Sequence, residues 1–188
     1  ESAMREMVDA LLDAPLPVVV YVSPSGARAT SAGMFITLAG HVAAMAPATH
    51  IGAAHPVPLG AVADEAMDEK MTSDAAALAR SIAAVRGRDA DWPAQAVREN
   101  ASLTADEALQ AEVIDVVAPT LDELLQAIDG RQVSVAGSSW TLHTAEARQQ
   151  SMPMRWTERL IHAITHPDIA YLLLTLGTLL LLAELSEP

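Results

Sequence analysis

The sequence predicts an α/β domain built on a parallel sheet, followed by an apolar C-terminal helix. Three observations predict it: the β-branched run Val18-Val19-Val20-Tyr21-Val22, the helical and strand-like segments that alternate after it, and a Leu-rich stretch from Ile169 to Leu185 with no charge before Glu184. The 188 residues suffice for one domain of about 100–200 residues with an appendage. Apolar residues make up 51% of the chain but aromatic ones only 3%. The core must therefore be built from Ala, Val, Leu, Ile and Met, whose small members let elements pack closely.

The opening ESAMREMVDALLDA reads as an amphipathic helix with Met4, Met7, Val8, Leu11 and Leu12 on one face. With no initiator Met and no signal peptide ahead of this helix, the expectation is a fragment whose upstream strands and any targeting segment are missing. Pro15 and Pro17 break the helix, and Val18–Val22 then reads as a strand buried on both faces, the usual setting being a parallel sheet. SPSGARATSAG is a turn-rich loop of small residues, MFITLAG a helix, and His41 to Met45 a further short strand.

Ala46 to Asp68 is rich in Pro and Gly and reads as short extended pieces and loop, long enough to be functional. A helix runs from Thr72 or Ser73 through Ala84, with Ser73 as N-cap and Gly87 closing it. Lys70 then lies just ahead of that helix. Residues 93–99 form a short helix. Thr104 with Glu107 three residues on is a capping box, Val113 to Val117 a strand, and Leu121 to Ile128 a helix. Gln132 to Thr141 alternates around Gly137-Ser138-Ser139 and reads as a hairpin. At about 1.5 Å per residue the Ile169–Leu185 run nearly crosses a hydrocarbon core of about 30 Å, and it reads as a membrane-entering helix. The domain boundaries are thus 1–130 for the main domain, 131–150 for a hairpin satellite, 151–168 for a juxtamembrane linker and 169–185 for the transmembrane helix.

A net charge of −13 argues against nucleic acid, which needs a Lys/Arg footprint on its phosphates. The absence of cysteine removes disulfides, thiolate metal sites and thiol nucleophiles, so any nucleophile is an oxygen. Of eleven basic residues, ten are Arg and only Lys70 is Lys. Arg stays protonated in proteins, whereas Lys loses its proton when buried or beside positive potential, so only Lys70 among them can act as a base.

Ser31 follows a strand and a small-residue loop and begins a helix, where backbone N–H groups and the helix end can stabilise an oxyanion. The same position suits a simple helix cap. For Lys70, a helix N-terminus and burial both favour the neutral amine, while Glu65, Asp68 and Glu69 nearby favour a solvated surface cation. Ser–Lys pairing is a known variant of triad chemistry.

The stretch YVSPSGARATSAGMFITLAGHVAAMAPATHIGAAHPV, the stretch EKMTSDAAALARSIAAVRGRDADWPAQAVRENASLTADEALQAEVIDVVA and the Leu-rich tail together resemble the long-form NfeD family of membrane-bound ClpP-class serine proteases. The resemblance spans essentially the whole chain. It implies a ClpP/crotonase-like fold, with Ser31 as nucleophile, Lys70 as base and the Ala32 N–H as one oxyanion donor. The second donor of that class, from a Gly-rich loop before the first helix, is absent from this chain; losing one donor costs about 100-fold or more in rate. The resemblance also implies cleavage of hydrophobic segments of membrane proteins, a stomatin-like protein as partner and substrate, a homo-oligomer, and a protease domain on the extracytoplasmic side. No cofactor and no metal are expected.

His55 lies roughly where ClpP proteases carry the His of a Ser–His–Asp triad, so it is the alternative base. His41 and His50 read as structural or solvated. Two rival classes stand beside the protease: a non-catalytic scaffold for stomatin-like proteins, and a crotonase-type enzyme, which needs neither dyad nor membrane tail. At Glu112 the family phrase before Val113-Ile114-Asp115 leads one to expect Gly, the residue suited to a positive φ.

Overall fold

The computed structural model describes residues 2–56, 65–165 and 167–186. The chain divides into two units, Glu1–Ala147 and Arg148–Pro188. The first carries α1 Ser2–Leu12, β1 Val19–Val22, β2 Arg28–Thr30, α2 Ala32–Ala39, β3 Val42–Met45, β4 His50–Gly52, α3 Glu65–Val85, α4 Asp91–Arg98, β5 Ser102–Thr104, α5 Ala105–Gln110, β6 Val116–Val117, α6 Leu121–Ala127, β7 Gln132–Val135 and β8 Ser138–Thr141. The second carries α7 Trp156–Thr165 and α8 Pro167–Ser186.

The parallel sheet forms as the β-branched run predicts, in the order β1-β3-β6, with Val19 opposite Val42 and Met45 opposite Val117. A second small sheet has the order β2-β4-β5, parallel between β2 and β4 and antiparallel between β4 and β5. This is a mixed α/β fold. Strand alternation sorts the residues of β3 between two cores. Ala43 and Met45 join Met34, Phe35, Leu38, Ile51, Ile82 and Val97 on one side, while Val42 and Ala44 join Leu124, Ile128, Val133 and Val135 on the other.

The second core places the β7–β8 hairpin against the sheet, inside the first unit. Residues 131–150 were expected as a satellite, and the inward Val133 and Val135 are what dock the hairpin. Its turn uses Ala136 and Gly137, both at positive φ, which suits a tight two-residue hairpin. On the other face α3 packs against α4, and both helices bury alanines, Ala76, Ala79 and Ala83 on α3 and Ala94 and Ala96 on α4, the close packing that an Ala-rich chain allows.

Three local expectations change. Helix α3 begins at Glu65, so Thr72, Ser73 and Lys70 all lie inside it and Ser73 caps nothing. The small-residue loop contains the three-residue strand β2. Met7 is exposed, and only Val8 of α1 is fully buried, with Met4, Leu11 and Leu12 packed beside it. The Thr104–Glu107 capping box forms with both of its reciprocal bonds. Glu112 adopts φ 55°, the left-handed backbone for which a Gly was expected.

In the second unit, residues 156–165 of the expected linker are helical. Among the described residues no single helix is long and apolar enough to cross a membrane. Helix α7 and the segment Asp168–Leu182 meet that test together, bent by 68° at the break between them.

Candidate active site

Strand β2 ends at Thr30 and helix α2 begins at Ala32, so Ser31 stands by itself at the strand-to-helix junction. Its φ of 52° and ψ of −121° lie in a region that costs a non-Gly residue about 1–3 kcal/mol. Hydrolases on α/β sheets use such a strained strand-to-helix turn to expose a nucleophilic serine. The turn is held from below: the Ser31 N–H donates to the carbonyls of Gly52 and Ala53, each at 3.2 Å. The Ser31 hydroxyl makes no capping bond, and the residue is exposed. A capping role, open from the sequence, is not the one this side chain takes.

Small residues let the turn close. A Cβ on Gly33 would meet Ala29 Cβ at 3.6 Å, an ordinary contact, so Gly33 tolerates a methyl. Gly52 is different: at φ 130° its Cβ would stand 2.3 Å from the Ala101 carbonyl oxygen. Only glycine fits there, and the same residue supplies a carbonyl to Ser31. Ala32 follows as the first helical residue, so its N–H has no acceptor within the helix and is available to an oxyanion.

The far end of α2 is held by a pair of arginines that the sequence did not flag. Arg86 Nε donates to the Ala39 carbonyl at 2.8 Å, and Arg88 Nη1 donates to those of Leu38 and Gly40 at 2.7 and 3.0 Å. These are the carbonyls a helix leaves unpaired at its C-terminus. Arg88 is itself paired with Asp115 Oδ2 at 2.5 Å, and Asp115 Oδ1 accepts from Arg131 at 2.5 Å. Asp115 Oδ2 also accepts the Ala43 N–H at 2.8 Å. The helix that starts at Ser31 is therefore tied at its other end to β3, to the residue before β6 and to the hairpin. Arg runs this far from any motif carry no local signal.

Lys70 lies in the second turn of α3 and is exposed. The expectation that it sits at the helix N-terminus is corrected, and the field of a helix end acts mainly within its first turn. Among the described residues no hydrogen bond or ion pair holds the Lys70 amine, and none joins it to Ser31. The alternative base, His55, is partly buried and already engaged. Its Nδ1 lies 3.1 Å from the Val97 carbonyl, to which it donates, and its Nε2 faces Asp68 at 3.8 Å. No hydrogen bond among the described residues joins His55 to Ser31.

His41 is structural, as expected. It is only 7% exposed, and its Nδ1 accepts the Val18 N–H at 3.2 Å. Burial first, then the charges of Arg86 and Arg88, push its pKa below the usual imidazole value. The neutral ring is the form that can accept from Val18. His50 begins β4, opposite Arg28 and Thr104.

No family model matches the chain. The chain is similar to Membrane-bound protease PH1510 of Pyrococcus horikoshii, with 37% identity over 192 residues that cover 100% of this chain and 43% of that protein. It thus spans less than half the length of that curated relative. Among solved structures it is similar to 1510-N membrane-bound stomatin-specific protease. A lysine-to-alanine variant of that protease in complex with a substrate peptide superimposes with a TM-score of 0.78 at 35% identity, over 87% of this chain and 77% of the other. A serine-to-alanine variant gives 0.74 at 33% identity, over 82% and 76% of the two chains. The protease from Pyrococcus horikoshii described as specific for a stomatin homolog gives 0.74 at 32% identity, over 87% and 75%.

Proposed function

The chain belongs to the family of membrane-bound proteases that includes 1510-N of Pyrococcus horikoshii, and from that premise we propose that it is a membrane-anchored serine endopeptidase with Ser31 as nucleophile and Lys70 as general base. The observation that carries this reading is the strained backbone of Ser31, at φ 52° between strand and helix, with a hydroxyl that caps nothing. Strain of this kind persists where the surroundings impose it, and here the Gly52 and Ala53 carbonyls do so. The serine and lysine variants solved for 1510-N replace the same two residue types.

In the proposed reaction the neutral Lys70 amine takes the proton from Ser31 Oγ while Oγ bonds to the scissile carbonyl carbon. Charge developing on the carbonyl oxygen is met by the Ala32 N–H. The tetrahedral intermediate collapses, the C–N bond breaks, and the protonated lysine returns its proton to the leaving amine. Water then hydrolyses the acyl-enzyme by the reverse sequence of proton transfers. Desolvation by a bound apolar substrate favours the neutral form of a lysine amine, which accords with substrates drawn from hydrophobic segments. The engagement of His55 by Val97 and Asp68 favours Lys70 over His55 as the base.

The substrate class in this reading is an apolar segment of a stomatin-like membrane protein, the specificity named for 1510-N. The ClpP-like form of the fold, a homo-oligomeric assembly and a protease domain on the extracytoplasmic side belong to the same reading. Helix α8, 20 Leu-rich residues with no charge between Asp168 and Glu184, would enter the bilayer and hold the protease there. The test is cleavage of a peptide carrying an apolar segment of a stomatin-like protein by the full-length enzyme. Ser31→Ala should abolish cleavage, Lys70→Ala should slow it by about 100-fold or more, and His55→Ala should leave kcat within a few-fold. Equal cleavage by Lys70→Ala and the natural sequence would remove Lys70 from the mechanism.

A further inference from the structure

Helix α7 has two unlike sides. At 100° per residue, Trp156, Leu160, Ile161, Ala163 and Ile164 fall within an arc of roughly 160°, while Glu158, Arg159 and Thr165 take the opposite side. The large apolar residues of that arc are all exposed: Trp156 72%, Ile161 63%, Leu160 51% and Ile164 49%. Ten residues with four large bare apolar side chains on one face are not a soluble linker. Such a face needs a covering surface.

The bend says which surface. Helix α8 is apolar all round, as a lipid-embedded helix is, and Leu174 and Leu181 on it are as exposed as Tyr171. The axis of α7 turns 68° from that of the segment Asp168–Leu182. If α8 stands near the bilayer normal, as membrane helices do to within about 20°, α7 lies nearer to the membrane plane than to the normal. A helix so placed has one side in the acyl chains and the other in the headgroups, which is the division its sequence shows. Trp156 stands at the end of α7 far from α8, and an indole suits the interface, where one part of the ring is apolar and the N–H is wet. Arg155 and Arg159 suit anionic headgroups at the same level.

We propose that α7 is an interfacial helix: its Trp156, Leu160, Ile161 and Ile164 side lies about 5–10 Å into the boundary of an anionic lipid surface, parallel to the membrane, while α8 enters it. This rests on the reading of α8 as a membrane-entering helix. The consequence for the proposed enzyme is an anchor with two contacts, one along the surface and one across it, in place of a free tether between protease and membrane.

The chain has no cysteine, so single cysteines can report each position without background. The full chain is reconstituted in vesicles of phosphatidylcholine and phosphatidylglycerol. A fluorophore is attached to Leu160→Cys, Ile164→Cys, Arg159→Cys or Leu174→Cys and quenched in turn by a water-soluble quencher and by lipids carrying nitroxides at known depths. Labels at 160 and 164 should be quenched by shallow nitroxides several-fold more than the label at 159, and the label at 174 by the deep ones. If 174 is deep but 159, 160 and 164 are equally exposed to water, the interfacial helix is wrong and the membrane reading of α8 stands. If all four are aqueous, both fail. Deep quenching at every α7 position makes α7 part of the span, and protection from water with no lipid quenching makes it a protein-packed helix; either result overturns the proposal.

Discussion

Ser31 has the backbone of a residue selected for something other than stability. A left-handed φ of 52° costs serine about 1–3 kcal/mol, and among the described residues its hydroxyl returns no hydrogen bond. Ser31→Gly should therefore raise the free energy of unfolding by about 1 kcal/mol while abolishing peptide cleavage, read from denaturant midpoints and from turnover. A variant less stable than the natural protein would mean that the hydroxyl serves the fold. The glycines around it separate in the same way. Gly33→Ala adds a methyl at 3.6 Å from Ala29 and should change stability by less than about 1 kcal/mol. Gly52→Ala drives a Cβ to 2.3 Å from the Ala101 oxygen and should cost about 3 kcal/mol or more, with loss of activity because the Ser31 anchor moves. The position of Ser31 between strand and helix was legible from its neighbours. The sign of its φ was not, because the carbonyls of Gly52 and Ala53 impose it from a strand twenty residues away. At Glu112 the positive φ was legible only through family resemblance, since Glu itself argues for the opposite.

At the scale of elements, α2 is fixed at both ends, by the β4 exit at Ser31 and by Arg86 and Arg88 at its last carbonyls. The Arg88–Asp115 pair is largely buried, with Asp115 also accepting from Arg131 and the Ala43 N–H while Arg88 Nε is without a partner among the described residues, and removing one partner of such a pair costs about 3–5 kcal/mol. Asp115→Ala should lose about that much in chemical denaturation; a loss under about 1 kcal/mol would show the cluster to be peripheral. His41 sits beside it with its pKa held below the ordinary value of about 6.5 by burial and then by Arg86 and Arg88. The unfolded chain therefore binds a proton below about pH 6.5 that the folded chain refuses, so stability is full above that pH and declines as pH falls toward the folded-state value. A His41→Asn variant should show a flatter stability profile below about pH 6.5 than the natural protein. Parallel profiles would remove His41 as the cause. Periodicity made α1, α4, α6 and the Thr104 capping box legible, because their signals are local. The start of α3 was missed because the Pro and Gly of the preceding stretch extended the expectation of loop through Asp68, and β2 because three residues in a loop of small side chains carry no period.

For the molecule as a whole, the fact hidden from the sequence is which element covers the second face of the parallel sheet. The Val18–Val22 run announces burial on both sides, yet period-2 patterning in residues 132–141 does not say what the hairpin packs against. Val133 and Val135 supply the answer by meeting Val42 and Leu124. In the second unit, composition alone marked the Leu-rich run, whereas the bend of 68° before it is a matter of geometry that no hydropathy window contains. One unit thus presents a strained serine at a strand-to-helix junction, and the other carries the bent pair α7 and α8.

The central claim is that Ser31 attacks and Lys70 takes its proton. The measurement that tests it most directly is the rate of fluorophosphonate attachment to the full-length protein and to its Lys70→Ala variant, with the modified residue mapped by mass spectrometry. The account predicts an adduct on Ser31 and a rate about 100-fold or more slower in Lys70→Ala. An adduct on another residue, or attachment to Ser31 at an undiminished rate without the lysine, would contradict it.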